Sequence, residues 1–113
     1  MDITTSQAAG GWTVINVAGA VDSTSAPELE KVCRSSVEAG VHRLAIDLAD
    51  VFYMSSAGLR VLLATLKLLA KRDGQMALVG PRVNVKQVLD MSGLGRIFSI
   101  VADVQQLQAQ QLP

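Results

Sequence analysis

Short apolar segments alternate along the chain with longer segments whose apolar residues recur every three or four positions. The short segments predict strands from Ile3 to Gln7 and from Trp12 to Ala18, joined as a tight hairpin through the glycine pair of "AAGG". Further strands are predicted in "HRLAIDL", "QMALVG" and "IFSIV". The chain is therefore expected to open with a hairpin and then to add single strands separated by helices.

The longer segments have the spacing of amphipathic helices. Ser25 and Glu28 are spaced as a capping box at the start of the first helix, and Gly40 marks its end. Its apolar face is predicted to comprise Leu29, Val32, Cys33 and Val37. Three further helices are expected in "GLRVLLATLKLLAKRDG", "PRVNVKQVLDMSG" and "DVQQLQAQQL", which gives the order β-β-α-β-α-β-α-β-α.

This alternation predicts an α/β fold with a mixed, mostly parallel sheet flanked by helices. Parallel neighbours require right-handed crossovers, and we expect their helices to cover both faces of the sheet. The chain has 113 residues, of which 50% are hydrophobic. This length and composition suit a single domain spanning residues 1–113, because they provide enough apolar surface for one core but not for two.

The charge balance argues against a nucleic-acid partner, and the single cysteine indicates the cellular compartment. Ten basic and ten acidic residues give a formal net charge of +0, and no cluster of Lys and Arg offers the surface that a nucleic-acid backbone requires. Cys33 has no possible disulfide partner in the chain, which favours a reducing cytoplasm. No apolar stretch approaches the roughly 18 residues of a membrane-spanning helix, so direct membrane insertion is not expected.

The sequence contains little of the chemistry that an enzyme needs. It has neither GxGxxG nor GxxxxGK[ST], and "MSSAGL" departs from the GxSxG motif of serine hydrolases. His42, the only histidine, precedes the "RLAIDL" strand, at the end of the sheet opposite to the serines. Asp47 and Asp50 are best explained as solvated acids in the loop after that strand, and Cys33 as a buried apolar residue. We therefore expect no catalysis, no cofactor and no metal site.

Two adjacent serines, Ser55 and Ser56, stand where an apolar run gives way to the second helix. Serine is a favoured N-cap because its hydroxyl accepts a hydrogen bond from a backbone N–H that the first turn leaves unpaired. Only one of the two can be the N-cap, which leaves the other exposed or available for another role. A loop at the carboxyl end of a parallel strand is accessible, and a helix N-terminus tolerates a phosphate.

The segments "DLADVFYMSSAGLRVLL" and "VLDMSGLGRIF" resemble the STAS domain family, named for sulphate transporters and anti-sigma factor antagonists. The chain is most similar to the small single-domain bacterial antagonists, and "GAVDSTSAPELE" resembles their segment before the first helix. The resemblance implies a regulatory protein that is not an enzyme. Such an antagonist binds an anti-sigma factor that is also a serine kinase of the histidine-kinase-like ATPase fold. Phosphorylation of the antagonist breaks the complex, and a PP2C-type phosphatase restores binding.

The resemblance also implies roles for individual residues. Alignment of the motif through Gly58 and Leu59 makes Ser56 the phosphorylated serine, with Ser55 as a secondary candidate that stands where family members often carry Asp. Asp22 matches the family's aspartate beside the acceptor, although an ordinary turn aspartate would also fit its position. The residues expected to contact the partner are Asp22, Ser23, Thr24, Ser55, Ala57, Gly58 and Arg60.

Two other interpretations stay open. Within the STAS family, the chain could instead be an accessory subunit of a phospholipid ABC transporter or part of another signalling assembly. Outside that family, a small enzyme or ligand-binding domain could use Asp47, Asp50 and the serine hydroxyls, but the sequence offers no base to activate them. The identity of the bound partner separates the antagonist from the transporter subunit, and turnover without a kinase would indicate the enzyme.

Overall fold

The computed structural model describes residues 1–107, and its elements follow the predicted order. The strands are β1 (Asp2–Ala8), β2 (Trp12–Val21), β3 (Arg43–Met54), β4 (Gln75–Val79) and β5 (Ser99–Val101). The α-helices are α1 (Ala26–Glu38), α2 (Ser56–Ala70) and α3 (Val83–Met91), and short 3₁₀ helices span Leu94–Arg96 and Val104–Leu107. The second 3₁₀ helix covers the start of the predicted terminal helix, whose remaining residues, 108–112, lie outside the described residues.

The strands form one five-stranded sheet in the order β1-β2-β3-β4-β5. β1 and β2 are antiparallel and are joined by the predicted hairpin, in which Gly10 and Gly11 have positive φ angles of 88° and 79°. The other neighbouring strands are parallel. The mixed, mostly parallel sheet predicted from the sequence is therefore confirmed.

The three α-helices within residues 1–107 all pack on one face of the sheet, which corrects the expectation of α-helices on both faces. Each right-handed crossover advances one strand in the same direction, so each helix is placed on the same side. The hydrophobic helix residues in the core on this face are Ala26, Leu29, Cys33, Val37, Leu59, Val61, Leu62, Leu69, Val85 and Leu89. A second cluster comprises Trp12, Val14, Ala45, Ala77, Val79, Val101 and Leu107. The 3₁₀ helix that ends at Leu107 thus helps to cover the opposite face.

β3 is longer than predicted and contains two irregularities in its register with β2. These bulges allow apolar residues three positions apart to face the helices, namely Leu48, Val51 and Met54. Asp47 and Asp50 were both interpreted as loop acids, but both lie within β3: Asp47 in the predicted segment "HRLAIDL" and Asp50 in its extension. The physical reason is that each bulge breaks the two-residue alternation by which a half-buried strand is recognised.

Beyond Asp47, β3 extends past the end of β4 and pairs only with β2. Side chains at the start of α3 donate hydrogen bonds to the edge of β3 that β4 leaves unpaired. Arg82 Nε donates to the Ala49 carbonyl at 2.9 Å. Asn84 Nδ2 donates to the Phe52 carbonyl at 2.8 Å. The strand end that leads to the serine pair is therefore attached to α3 as well as to β2.

Candidate functional site

The candidate site lies where β2 and β3 end side by side, since Val21 pairs with Met54. The backbone N–H of Ser55 donates to the Val21 carbonyl at 2.8 Å, which ties the chain after β3 to the end of β2. α1 and α2 begin just beyond these two strand ends and pack against each other. Residues 22–25 and residues 55–58, which the sequence analysis singled out separately, are thus brought together.

Asp22 organises the loop before α1. Its Oδ1 accepts hydrogen bonds from the backbone N–H groups of Thr24 at 2.9 Å and Ser25 at 3.0 Å. The bonds from Ser25 and then Thr24 hold the pKa of the Asp22 carboxyl below its usual value of 3.8, because they stabilise the carboxylate. A turn role therefore accounts for this side chain without a partner, and its role in recognition stays a prediction.

The capping box predicted for α1 does not form. Ser25 has helical backbone angles, with φ −93° and ψ −23°, and its side chain caps no N–H of the helix. Its hydroxyl instead donates to the Ala20 carbonyl at 2.9 Å and accepts from the Asp22 N–H at 3.0 Å. The Ala26 N–H at the start of the helix binds the Asp22 carbonyl at 2.8 Å. The turn built by Asp22 thus replaces the predicted cap.

The two serines have different surroundings. Ser55 is half-buried and is the N-cap of α2, with an extended backbone of φ −87° and ψ 173°. Its Oγ accepts a hydrogen bond from the Gly58 N–H at 3.4 Å. Ser56 is the first residue of the helix and is exposed, and its hydroxyl forms no hydrogen bond with any residue from 1 to 107. The cap is therefore Ser55, and the Ser56 hydroxyl is accessible.

A cavity of about 280 Å³ between the starts of α1 and α2 brings together three predicted partner-contacting residues, Ser23, Ala57 and Arg60. Ser23 and Arg60 are exposed, and Ala57 is half-buried. Thr24 is exposed in the loop at one side of this cavity. These residues and the exposed Ser56 lie near the starts of α1 and α2, and their contact with a partner stays a prediction.

Gly58 was also predicted to contact the partner, but it is buried against the sheet. A Cβ at this position would lie 2.8 Å from Cγ1 of Val21 and would overlap Sδ of Met54. Glycine is therefore needed for the close approach of α2 to the ends of β2 and β3. In this structure the role of Gly58 is packing, which positions the serines without being part of the accessible surface.

An apolar surface next to the serines was not predicted from the sequence. Phe52 and Tyr53, near the end of β3, are 57% and 51% exposed, and Val83 at the start of α3 is 76% exposed. The hydrogen bond from Asn84 to the Phe52 carbonyl places the start of α3 beside this strand end. Exposed aromatic residues are common anchors of protein interfaces. The signal in the sequence was "VFY", because a strand with one buried face cannot bury three consecutive side chains.

The cysteine, the histidine and Asp47, whose side chains could in principle take part in chemistry, are not part of the surface around the serines. Cys33 is buried in the core as predicted, and burial raises the pKa of its thiol to about 11, which keeps it unreactive. His42 is exposed just before β3, at the opposite end of that strand from the serines. The Asp47 carboxylate accepts the Ala49 N–H at 3.0 Å. Within residues 1–107, no cluster of His, Cys, Asp and Glu is suited to hold a metal ion, and no helix is long and apolar enough to cross a membrane.

Comparison with known proteins decides the family. The sequence model of the STAS domain family matches residues 3–107 of this chain. The chain belongs to the STAS domain family. It is 36% identical over 88 residues to the anti-sigma-B factor antagonist of Bacillus subtilis, which covers 78% of this chain and 80% of that STAS relative.

Two solved structures have the same fold as this chain. An anti-sigma factor antagonist from Mycobacterium paratuberculosis is 31% identical and superimposes with a TM-score of 0.82, covering 96% of this chain and 93% of the other. The Bacillus cell fate determinant SpoIIAA, solved in its phosphorylated form, has a TM-score of 0.74 at 16% identity, over 96% of this chain and 98% of its own. The STAS resemblance and the α/β fold predicted from the sequence are confirmed.

Proposed function

We propose that this STAS protein is an anti-sigma factor antagonist that binds its partner when Ser56 is unmodified and releases it when Ser56 is phosphorylated. The observation that carries the proposal is the difference between the two serines, since Ser55 caps α2 and the adjacent Ser56 hydroxyl is exposed. The names of the STAS relatives supply the class of partner. The protein would act as a single domain, residues 1–113, in the cytoplasm, without catalytic activity of its own.

The proposed partner is an anti-sigma factor that is also a serine kinase of the histidine-kinase-like ATPase fold, and a PP2C-type phosphatase would reverse the modification. In the kinase step, Oγ of Ser56 forms a bond to the γ-phosphorus of ATP while the bond to ADP breaks, and the hydroxyl proton passes to a base of the kinase. This chain supplies only the accessible hydroxyl. No metal ion or cofactor bound by this chain is required for that role.

Phosphorylation of Ser56 is compatible with the fold of the antagonist. The phosphate would lie in the first turn of α2, where the helix dipole and unpaired N–H groups favour an anion. Ser55 is a poorer acceptor, because its Oγ already accepts the Gly58 N–H and a phosphate there would disturb the N-cap. These environments favour Ser56 over Ser55 as the site of modification.

The partner-contacting surface is proposed to centre on Ser56. It includes the exposed or half-buried residues of the sequence prediction and the aromatic pair at the end of β3, namely Asp22, Ser23, Thr24, Ser55, Ala57, Arg60, Phe52 and Tyr53. A phosphate adds about −1.5 to −2 charges at this surface. A partner that packs against a neutral hydroxyl must then desolvate and make room for a charged phosphate, which destabilises the complex.

The proposal is tested by incubating the protein with its cognate kinase and ATP and mapping phosphate by peptide mass spectrometry. We expect phosphate on Ser56 in the wild type and in Ser55→Ala, and no phosphate at that site in Ser56→Ala. Calorimetry with unmodified and phosphorylated protein should then show a large loss of affinity, about 10⁴-fold if the switch is nearly complete. An unmodified Ser56, or equal affinity of the two forms, would contradict the proposal.

The alternatives predict different results. A STAS accessory subunit of a phospholipid ABC transporter would bind a transporter ATPase rather than a kinase of the histidine-kinase-like fold. An enzyme would turn over a substrate without a kinase. The described sheet offers little support for the enzyme, because its strand order never reverses and so lacks the crevice in which doubly wound sheets bind ligands.

A further inference from the structure

Arg60 lies about one helical turn after Ser56 on the exposed side of α2. Residues four positions apart on a helix have Cβ atoms about 5–6 Å apart, and their Cα–Cβ bonds tilt toward the N-terminus. The side chain of Arg60 is thus directed toward the turn that begins with Ser56. Arg60 also lines the cavity between α1 and α2, together with Ala57 one turn before it and Ala64 one turn after it.

Arg60 has no counter-ion among the described residues. Glu30 lines the same cavity from α1, but its carboxylate forms an ion pair with Arg34. Arg60 itself makes neither an ion pair nor a hydrogen bond with any residue from 1 to 107. The structure therefore presents an unpaired guanidinium one turn from the exposed Ser56 hydroxyl.

We propose that Arg60 is the intramolecular counter-ion of the phosphate on Ser56. An acid followed four positions later by a base is the more favourable orientation of such a pair on a helix. A guanidinium can also donate two parallel hydrogen bonds to phosphate oxygens. Phosphorylation would then change the binding surface in two ways, because it adds an anion and also withdraws the Arg60 cation from the partner. This inference rests on the proposed function, since it requires a phosphate on Ser56.

The pair can be tested without a kinase by producing the full chain with phosphoserine incorporated directly at position 56. The second pKa of the phosphate, about 6 in an unperturbed phosphoserine, is followed by ³¹P NMR. We expect this pKa to be lower by about half a unit or more in the protein with Arg60 than in Arg60→Gln, because the cation favours the dianion. Both proteins contain the same nearby charges, namely Asp22 in the adjoining loop and the Glu30–Arg34 pair on α1. The effect of these charges on the phosphate pKa is therefore the same in both and does not contribute to the difference.

Lys67→Gln is the matched control, because it removes one positive charge from another exposed position of α2. Lys67 lies about three turns beyond Ser56, or about 16 Å along the axis, which exceeds the Debye length of about 8 Å at physiological salt. The phosphate pKa should therefore stay at the wild-type value. Arg60→Lys keeps the charge but loses the two-pronged donor, and it should give an intermediate value.

An equal phosphate pKa in the Arg60 and Arg60→Gln proteins would overturn the proposed counter-ion, and so would an equally large shift in Lys67→Gln. Arg60 is exposed, so these variants should keep the fold, which circular dichroism can verify. Because the phosphate is incorporated directly, the result does not depend on any kinase. A kinase that fails to modify Ser56 would contradict the proposed function and leave the pKa comparison valid.

Discussion

Ser55 and Ser56 are neighbours in the chain, but they differ in what their hydroxyl groups can do. The Oγ of Ser55 binds the Gly58 N–H, and its backbone N–H binds the Val21 carbonyl. Ser56 points its side chain to solvent from the first position of α2. One serine therefore fixes where the helix begins, which leaves the next free to be modified without loss of the cap.

Ser55→Ala should lower the free energy of unfolding by about 1 kcal/mol, because the first turn of α2 loses its side-chain acceptor. Ser56→Ala should change it by no more than about 0.5 kcal/mol, as expected for an exposed residue without hydrogen bonds in the described structure. Urea denaturation of both variants provides the measurement, and each serves as the control of the other. Equal destabilisation would contradict the assignment of the cap.

The sequence could predict that one of the two serines caps the helix and that the other is free, but it could not decide which serine has which role. Either serine can precede a helix, and both choices satisfy the local pattern of apolar residues. The decision depends on a contact between distant parts of the chain, the hydrogen bond from Ser55 to the end of β2. Family resemblance selected Ser56 as the acceptor, and the exposure of its hydroxyl is consistent with that choice.

The ends of β2 and β3 and the starts of α1 and α2 form the site through contacts that the spacing of apolar residues does not predict. Most helix and strand positions up to β5 followed from the spacing of apolar residues, but two strand ends were missed. β2 runs to Val21 rather than Ala18, and the bulges of β3 shift Val51 and Met54 out of alternation. The start of α1 was predicted at Ser25, but the capping box was wrong. Asp22, three residues earlier, makes the competing hydrogen bonds.

Asp22→Asn tests the hydrogen-bonded turn before α1, because the variant keeps an oxygen acceptor but removes the negative charge. The carboxylate has a lowered pKa in the folded protein, so it stabilises the fold above the unfolded value, near pH 4, and this contribution is lost as the pH falls through the folded pKa. The wild type should therefore exceed the variant in stability at pH 7 by more than at pH 3. Urea denaturation at the two pH values measures the difference, which should be small for a solvated group. A difference that did not change with pH would contradict the role of the charge.

Gly58→Ala should destabilise the packing of α2 against the strand ends. A Cβ there would lie 2.8 Å from Cγ1 of Val21 and would overlap Met54, and such overpacking costs about 1–3 kcal/mol. Alanine in a helix gains up to about 1 kcal/mol over glycine, so a net loss would show that the clash dominates. A double-mutant cycle with Met54→Ala provides the control, since shortening Met54 should reduce the cost of the added methyl. The same cost in both backgrounds would rule out this contact as the cause.

At the scale of the whole molecule, strand order decides which surfaces are available. The sequence predicted the layers of the α/β fold, but not the placement of all three α-helices on one face, because composition does not specify in which direction each crossover advances. The site follows from this arrangement. α1 and α2 follow adjacent strands on the same face, so their first turns line one cavity.

The segment after β5 packs on the face of the sheet opposite the α-helices. Leu107→Ala tests how much this packing contributes to stability. Leu107 is 1% exposed in the cluster that contains Trp12, so its truncation should cost about 2–5 kcal/mol of unfolding free energy. Trp12 is the only tryptophan, and its fluorescence in the native state should move to longer wavelength if water reaches this face. Val104→Ala, at a half-buried position of the same 3₁₀ helix, should have a smaller effect on both. The proposed phosphorylation of Ser56 should be unaffected in folded Leu107→Ala, because α2 packs on the other face of the sheet. Its loss in this variant alone would show that the two faces are coupled.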